Sequence, residues 1–177
     1  NLSEGESYDI FDLRVVNGSV EYDYIVDPTQ LTTQTNVASL RASPFSTNQF
    51  VVGWCDESAN DAIFAIYYTN GTQVVAPTTV DADVGACSKP SAYLADAVSV
   101  AALNSTEFVF SWSNNNTNRS YYQIYDNTGA AIGSTVITNQ FHQSSKTGNR
   151  DYLSSSAVFN STTFVIMFVN ETTASAD

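Results

Sequence analysis

Short apolar runs separated by polar turns dominate the chain, and this pattern predicts an all-β protein. The runs are rich in Val, Ile, Phe, Tyr and Thr and are bounded by Asn, Gly, Ser and Pro, which is typical of strands and their turns. No stretch of about 11 residues or more combines the helical period with capping residues. The sequence therefore predicts strands throughout and no substantial helix.

Two strand motifs each occur three times. The first motif begins with Phe-Val or a close variant, and its copies start 58 and then 56 residues apart, at Phe50–Trp54, Phe108–Trp112 and Phe164–Phe168. The second is an apolar run that leads into a turn with glycine, at Leu13–Gly18, Ile66–Gly71 and Ile124–Gly129. Asn and Gly accept positive φ, so these turns predict tight hairpins. The two motifs alternate, which indicates an internal repeat.

The motifs predict three repeats of about 53–59 residues with four strands each. The repeat units are 1–60, 61–119 and 120–177 of a single domain, 1–177. The phase of the repeats, meaning the strand at which the chain begins, is unusual. The chain starts with strands three and four of a repeat, continues with two complete sets of strands one to four, and ends with strands one and two. Twelve strands are therefore predicted. First strands are predicted at 37–40, 98–103 and 156–159, and fourth strands at 73–75 and 130–137. The aromatic residues of neighbouring strands are expected to stack across the sheet.

The middle repeat is where a family resemblance is found. Its motifs are Ala101–Leu103, Phe108–Trp112 and Tyr122–Gly129, which resemble the tandem repeats of large secreted and cell-surface proteins. That resemblance implies four-stranded, propeller-blade-like units, an adhesive or scaffolding role outside the cell, and no shared catalytic residues. Three repeats are fewer than the four to eight blades of ordinary propellers, so a β-trefoil or a β-prism is the alternative architecture.

The phase of the repeats also predicts self-association. Each end of the chain is expected to carry strands whose partners lie elsewhere, and an unpaired apolar edge is an association site. We therefore expect copies to join head to tail into a ring or a filament, forming a fibril or surface layer. In sequon density and repeat phase the chain loosely resembles glycan-coated filament proteins of aquatic microorganisms. The alternative is an adhesin or lectin-like module that binds through loops 78–97 and 138–154.

Composition narrows the partners and the compartment. The net charge is −12 with only six basic residues, so nucleic acid is excluded as a partner. No apolar stretch reaches the roughly 18 residues that a membrane span needs. The chain starts at Asn rather than Met, which predicts a processed or excerpted protein.

Glycosylation sequons and two cysteines predict an extracellular protein. Asn-X-Ser/Thr sequons, the acceptors of N-linked glycans, start at Asn1, Asn17, Asn70, Asn104, Asn115, Asn118, Asn160 and Asn170. Several lie in predicted turns, which point at solvent. Cys55 and Cys87 are predicted to form a disulfide, as cysteines do in oxidising compartments.

The sequence offers little for catalysis, and we predict that the chain is not an enzyme. It has one histidine, His142. No cysteine and histidine residues have the spacing of a zinc site, and no serine lies in a nucleophile-elbow motif. Asp81 and Asp83, in the acidic loop after a fourth strand, and Asp56 with Glu57 are the candidate Ca²⁺ ligands, although a solvated loop is the preferred interpretation. No cofactor is predicted beyond N-linked glycans. The recurrent Trp54, Trp112 and Phe168 suit core packing better than sugar binding.

Overall fold

The fold is that of a computed structural model, which describes residues 11–16, 19–24, 37–82, 84, 97–114, 116–117, 119–138 and 150–171. Within these ranges the chain is all-β, as predicted, and contains no helix. The described residues form twelve strands, which are β1 (Phe11–Val16), β2 (Ser19–Tyr24), β3 (Val37–Pro44), β4 (Gln49–Asp56), β5 (Asp61–Tyr68), β6 (Gln73–Asp81), β7 (Val98–Ala102), β8 (Glu107–Asn114), β9 (Arg119–Asp126), β10 (Ala131–Ile137), β11 (Arg150–Asn160) and β12 (Thr163–Glu171).

These strands form four antiparallel sheets. Sheet I is β1–β2, sheet II is β3–β4–β5–β6, sheet III is β7–β8–β9–β10 and sheet IV is β11–β12. Each four-stranded sheet takes two strands from each of two neighbouring predicted repeat units. The propeller-like and three-repeat architectures stay predictions. The chain divides into two compact units, Asn1–Thr35 and Asn36–Asp177, and sheets II, III and IV belong to the second.

Corresponding strands pair in corresponding registers in sheets II and III. Phe50 lies opposite Tyr67 in sheet II, and Phe108 lies opposite Tyr125 in sheet III. Both pairs stack, with ring centroids 5.8 and 5.4 Å apart, which confirms the expected cross-strand stacking. The sequence motifs therefore mark structurally equivalent positions, which lie 58 residues apart in these two sheets.

The main core lies between sheets II and III. The ring of Phe64, on β5, lies 5.1 Å from that of Phe108 and 4.8 Å from that of Tyr125 on sheet III. Burial raises the pKa of the Tyr125 phenol, so that it stays neutral in this apolar layer. On the opposite face of sheet III, a smaller cluster of Ala101, Leu103 and Val109 packs against residues of sheet IV that include Val158 and Phe164. Sheets II, III and IV thus stack face to face in chain order.

Close approach of sheets II and III explains a glycine in the middle of β4. A Cβ atom at Gly53 would lie 2.7 Å from Cγ1 of Val100 and 2.9 Å from Cε2 of Phe110, both on sheet III. Gly is otherwise unfavourable in a strand interior. Its presence here lets the two sheets pack without a gap.

Several strands are longer than predicted, and bulges explain part of the difference. The register shifts between Ala38 and Arg41, where Ser39 has a φ of 53°, and β3 then continues to Pro44. Shifts also interrupt the pairing of β5 with β6, which nevertheless extends to Asp81. The predictions that β3 ends at residue 40, that β6 ends at 75 and that 150–154 is loop are therefore wrong. A bulge absorbs an extra residue without ending the strand. The alternation of apolar and polar residues is therefore interrupted at a bulge, although the strands remain paired.

The turn between β9 and β10 is held by a carboxylate. Oδ1 of Asp126 accepts hydrogen bonds from the Thr128 hydroxyl at 2.6 Å, the Thr128 amide at 2.8 Å and the Ala130 amide at 3.0 Å. The hydrogen bond from the Thr128 side chain, together with these amides, lowers the pKa of Asp126. Ionised Asp126 therefore stabilises the turn.

This carboxylate predicts a pH dependence of stability. A lowered pKa in the folded state contributes stability above the ordinary carboxyl pKa, and the contribution disappears as the pH falls through the lowered value. We expect Asp126→Asn, which keeps an acceptor oxygen but cannot ionise, to be less stable than the wild type near neutral pH. The difference in denaturation midpoint should shrink as the pH falls below the ordinary carboxyl pKa. A difference that is constant with pH would contradict this role for the charge.

Candidate functional site

Sheet IV has an edge that is unpaired among the described residues. In the four-stranded sheets, the strand with the first motif pairs on both sides, β4 with β3 and β5, and β8 with β7 and β9. Its counterpart β12 pairs only with β11. We call the side of β12 that faces away from β11 its open edge. An edge of this kind presents unsatisfied backbone donors and acceptors to another strand.

The hairpin hydrogen bonds identify which amides point to the open edge. In sheet III the Leu103 amide donates to the carbonyl of Glu107 at 2.9 Å, which makes these two residues a hydrogen-bonded pair across β7 and β8. Backbone groups alternate in direction along an antiparallel strand, so Phe108 and Phe110 direct theirs towards β9. The corresponding residues of β12 are Phe164 and Ile166. Ile166 lies opposite Ser156, whose amide donates to Ser99 and not to β12, so the backbone groups of Ile166 face the open edge.

Sheet I presents the complementary half. The strand β1 contains the start of the second motif, which in sheets II and III lies in β5 and β9. Those strands pair with the first-motif strand on one side and with the fourth strand on the other, whereas β1 pairs, within the described ranges, only with β2. By its motif, sheet I is the counterpart of β5–β6 and of β9–β10, and sheet IV is the counterpart of β3–β4 and of β7–β8.

The outer face of sheet IV, which points away from sheet III, is apolar and exposed. Phe159 is 75% exposed, Met167 52% and Val165 36%. The counterparts of Phe159 in the other sheets are Phe45 and Leu103, each 7% exposed. The counterparts of Val165 are Val51 and Val109, both fully buried. Each of the two preceding sheets buries these positions under the next sheet, and in sheet IV they are open.

Asp81, a candidate calcium ligand, forms hydrogen bonds that join two sheets. It ends β6, and its Oδ2 accepts hydrogen bonds from Nε1 of Trp112 at 2.7 Å and from Nδ2 of Asn114 at 3.0 Å. Both donors belong to β8, so the carboxylate clamps sheet II to sheet III. The prediction that Asp81 lies in a solvated loop is therefore wrong.

The other calcium candidates gain no support from the geometry. Oδ1 of Asp56 accepts the amides of Ser58 and Ala59 at 2.8 and 3.2 Å and so shapes the turn after β4. Asp83 lies outside the described residues. The part of the chain that the structure describes contains no group of three or more His, Cys, Asp or Glu able to hold a metal ion.

Three of the predicted glycan acceptors lie in described hairpin turns. The side-chain oxygens of Asn70, Asn104 and Asn160 each accept the amide of the residue two positions later, at 3.0, 2.8 and 2.9 Å. Asn70 and Asn160 are exposed. Asn104 is half-buried and also donates through Nδ2 to Oε2 of Glu107 at 2.8 Å. The sequons at Asn1, Asn17, Asn115 and Asn118 lie outside the described residues, as does the side chain of Asn170.

The remaining predicted residues have mixed outcomes. Cys55 is buried and disulfide-bonded, but Cys87 lies outside the described residues, so their pairing stays a prediction. Trp54 and Trp112 are both buried, which confirms the packing interpretation for these two; the Phe168 side chain is not described. His142 is also outside the described residues, and the prediction that the chain is not an enzyme remains untested.

No helix in the described part of the chain has the length and apolarity needed to cross a bilayer. Comparison of the sequence with protein-family models, with curated proteins and with solved structures finds no match. The resemblance to propeller-blade repeats therefore rests on the motifs alone.

Proposed function

We propose that this is a structural extracellular protein whose copies associate head to tail. The open edge of β12 in one copy pairs with β1 of the next and produces a sheet with the order β11–β12–β1–β2. The observation that carries this proposal is the one-sided pairing of β12, because both of its counterparts in the chain pair on two sides.

The two halves complement each other in the order of their strands. Sheet IV supplies strands one and two of a repeat and sheet I supplies strands three and four, so the composite sheet has the same order as sheets II and III. The register follows from the motifs. Val51 lies opposite Ile66 and Val109 lies opposite Ile124. In the proposed composite sheet, Val165 is therefore paired with Leu13 of the neighbouring copy.

The geometry of this contact favours extended assemblies. The two surfaces that meet are different, so the contact is heterologous and propagates into a ring or a filament. Strand addition satisfies backbone groups along the edge and gives directional association. A permanent interface buries roughly 2,000 Å² or more, which calls for a sheet face in addition to the strand edge.

An extracellular location agrees with two features of the described residues. Cys55 is disulfide-bonded, and structural disulfides belong to oxidising compartments. The sequons at Asn70 and Asn160 lie on exposed hairpin turns, which suit the attachment of a glycan. Glycans on such turns would coat the surface of an assembly.

Two of the described turns, at Asn70 and Asn160, are exposed, and the turn at Asn104 is half-buried. This difference predicts that an enzyme reaches their glycans unequally in the folded protein. We expect a peptide-N-glycosidase to release glycans from Asn70 and Asn160 without denaturation, since both side chains are exposed. Release from Asn104 is expected to require denaturation, because its Nδ2 is held by Glu107 in a half-buried site. Glycopeptide mass spectrometry before and after native digestion measures this order. Equal native release at all three would contradict it.

A proline on the open edge tests the proposed association. Ile166→Pro removes an amide that faces the open edge, whereas Ile166→Thr keeps it and is the matched control. Assembly is measured by sedimentation velocity and by negative-stain microscopy of the full chain. We expect the wild type and Ile166→Thr to form large, concentration-dependent assemblies and Ile166→Pro to remain small. A wild-type chain that stays monomeric at every concentration overturns the proposed function, and assembly by Ile166→Pro overturns the strand-pairing mechanism.

A further inference from the structure

Serine hydroxyls join the first strands of successive sheets by a repeated contact. Oγ of Ser43, on β3, accepts the amide of Ala102 on β7 at 3.0 Å. Oγ of Ser99, on β7, accepts the amide of Ser156 on β11 at 3.0 Å. These contacts join the first strands of sheets II and III, and of sheets III and IV.

Both contacts obey one positional rule. Alignment of the first motif makes Ala102 equivalent to Pro44, the residue after Ser43. It likewise makes Ser156 equivalent to Val100, the residue after Ser99. In each case, therefore, a serine in the first strand of one sheet accepts a hydrogen bond from a backbone amide in the first strand of the following sheet. The residue that donates is equivalent to the residue directly after the serine. The rule holds for one contact at each junction of the stack. A third serine, Ser39, lies in the bulge of β3 and accepts the amide of Ala97, the position equivalent to itself, at 2.9 Å.

Sheet IV has the positions with which sheets II and III contact the sheet that follows them. Ser155 is the equivalent of Ser99, and Phe159, Val165 and Met167 occupy the positions that sheets II and III bury under their successors. Ser155 itself is half-buried, and the three apolar side chains are exposed. The outer face of sheet IV is therefore the open end of the stack that runs through sheets II, III and IV.

The first strand of sheet II has the positions with which sheets III and IV contact the sheet before them. In sheets III and IV, the equivalents of Ala42 are Val100 and Ser156, and both lie against the preceding sheet. In sheet II, Ala42 and Pro44 are exposed and Phe50 is only half-buried. The β3 side of sheet II is thus an open end of the opposite kind.

We infer that the outer face of sheet IV docks on the β3 side of sheet II in a second copy of this chain. In this contact Oγ of Ser155 accepts the amide of Ala42 from the neighbouring copy, and Phe159 is buried as Phe45 and Leu103 are. The inference rests on the proposed head-to-tail association, to which it adds the second surface. A second copy is the occupant because the same face-to-face packing already continues through sheets II, III and IV.

The next contact along the strand is also consistent with this docking. The position equivalent to Ser43 in sheet IV is Ala157, which has no hydroxyl to accept a hydrogen bond. Its partner under the rule is Pro44 of the neighbouring copy, which has no amide to donate. The acceptor and the donor are therefore lost together, and docking leaves neither group unsatisfied.

Cysteine cross-linking tests the predicted pair directly. In the intramolecular equivalent, Oγ of Ser99 and Oγ of Ser156 lie 2.7 Å apart, a separation that suits cysteines able to form a disulfide. We therefore mix full chains that carry Ser155→Cys with full chains that carry Ala42→Cys. A disulfide-linked dimer is expected under mild oxidation. The matched control replaces Ala42→Cys by Arg41→Cys, which projects from the other face of β3 and should cross-link much less.

The outcomes separate this inference from the proposed function. Selective linkage of Ser155→Cys to Ala42→Cys supports both. Large assemblies without selective linkage overturn the docking while leaving the head-to-tail proposal in place. Absence of assembly as well as of linkage overturns both.

Phe159 gives an independent, quantitative measurement. Burial of one large apolar side chain contributes enough for about a tenfold or greater change in association, so Phe159→Ser should raise the concentration needed for assembly by at least about tenfold. Ile132→Ser changes another exposed apolar residue, on β10, and should leave that concentration unchanged. Equal behaviour of the two variants overturns the docking.

Discussion

Replacement of Phe108 by alanine is expected to lower the free energy of unfolding by about 3–5 kcal/mol. Phe108 is fully buried between sheets II and III. Its ring lies 5.3 Å from that of Phe45, 5.1 Å from that of Phe64 and 5.4 Å from that of Tyr125. Truncation leaves a cavity bounded by rigid rings from two sheets, and such a site cannot easily collapse to fill the space.

Phe159→Ala is the matched control for this loss. The substitution is identical, but Phe159 is largely exposed, so the stability of a dilute monomer should change by less than about 0.5 kcal/mol. Both variants are compared by denaturant titration, with the buried Trp54 and Trp112 as fluorescent probes. Similar losses for the two variants would contradict the placement of the main core between sheets II and III.

The second large effect is expected at the clamp formed by Asp81. Asp81→Ala removes the acceptor of the Trp112 indole and of the Asn114 amide, and both donor residues are buried. Unsatisfied buried donors cost about 1–3 kcal/mol each, so we expect a loss of about 2–3 kcal/mol. The loss should also appear as a shift in Trp fluorescence, because the indole loses its partner.

A double substitution shows whether the hydrogen bond is the cause. Trp112→Phe removes the indole donor, so adding Asp81→Ala to that background should cost clearly less than Asp81→Ala alone. Calcium provides the contrast, since a ligand role for Asp81 predicts a midpoint that rises with Ca²⁺ in the wild type only. Additive losses combined with such a rise would replace the clamp by a metal site.

The sequence predicts the strands and their grouping well because the motifs are local. Phe50 and Phe108, like Ile66 and Ile124, recur at a constant spacing, and each lies in the strand that its motif predicts. The turns follow from Asn and Gly, whose conformational preferences do not depend on distant contacts. The all-β structure and the two four-stranded sheets can therefore be predicted without knowing how the sheets pack against one another.

The sequence does not predict features that depend on neighbouring sheets. Asp81 reads as part of an acidic loop, and only the position of Trp112 on the facing sheet reveals its clamp. Val51 and Val165 occupy the same place in their motif, yet one is fully buried and the other partly exposed. The difference arises from what covers each sheet, and repeat motifs contain no information on it. The signal available in sequence was the phase of the repeats, which pointed to incomplete sheets without identifying the exposed face.

Pairing between β12 of one copy and β1 of another is tested most directly by mixing two cysteine variants of the full chain. Val165→Cys and Leu13→Cys lie opposite each other in the register taken from sheets II and III. We expect an intermolecular disulfide in this mixture. Far less should form when Asp12→Cys replaces Leu13→Cys, because a shift of one residue reverses the face of the sheet. Equal linkage in both mixtures, or none in either, would contradict head-to-tail completion of the sheets.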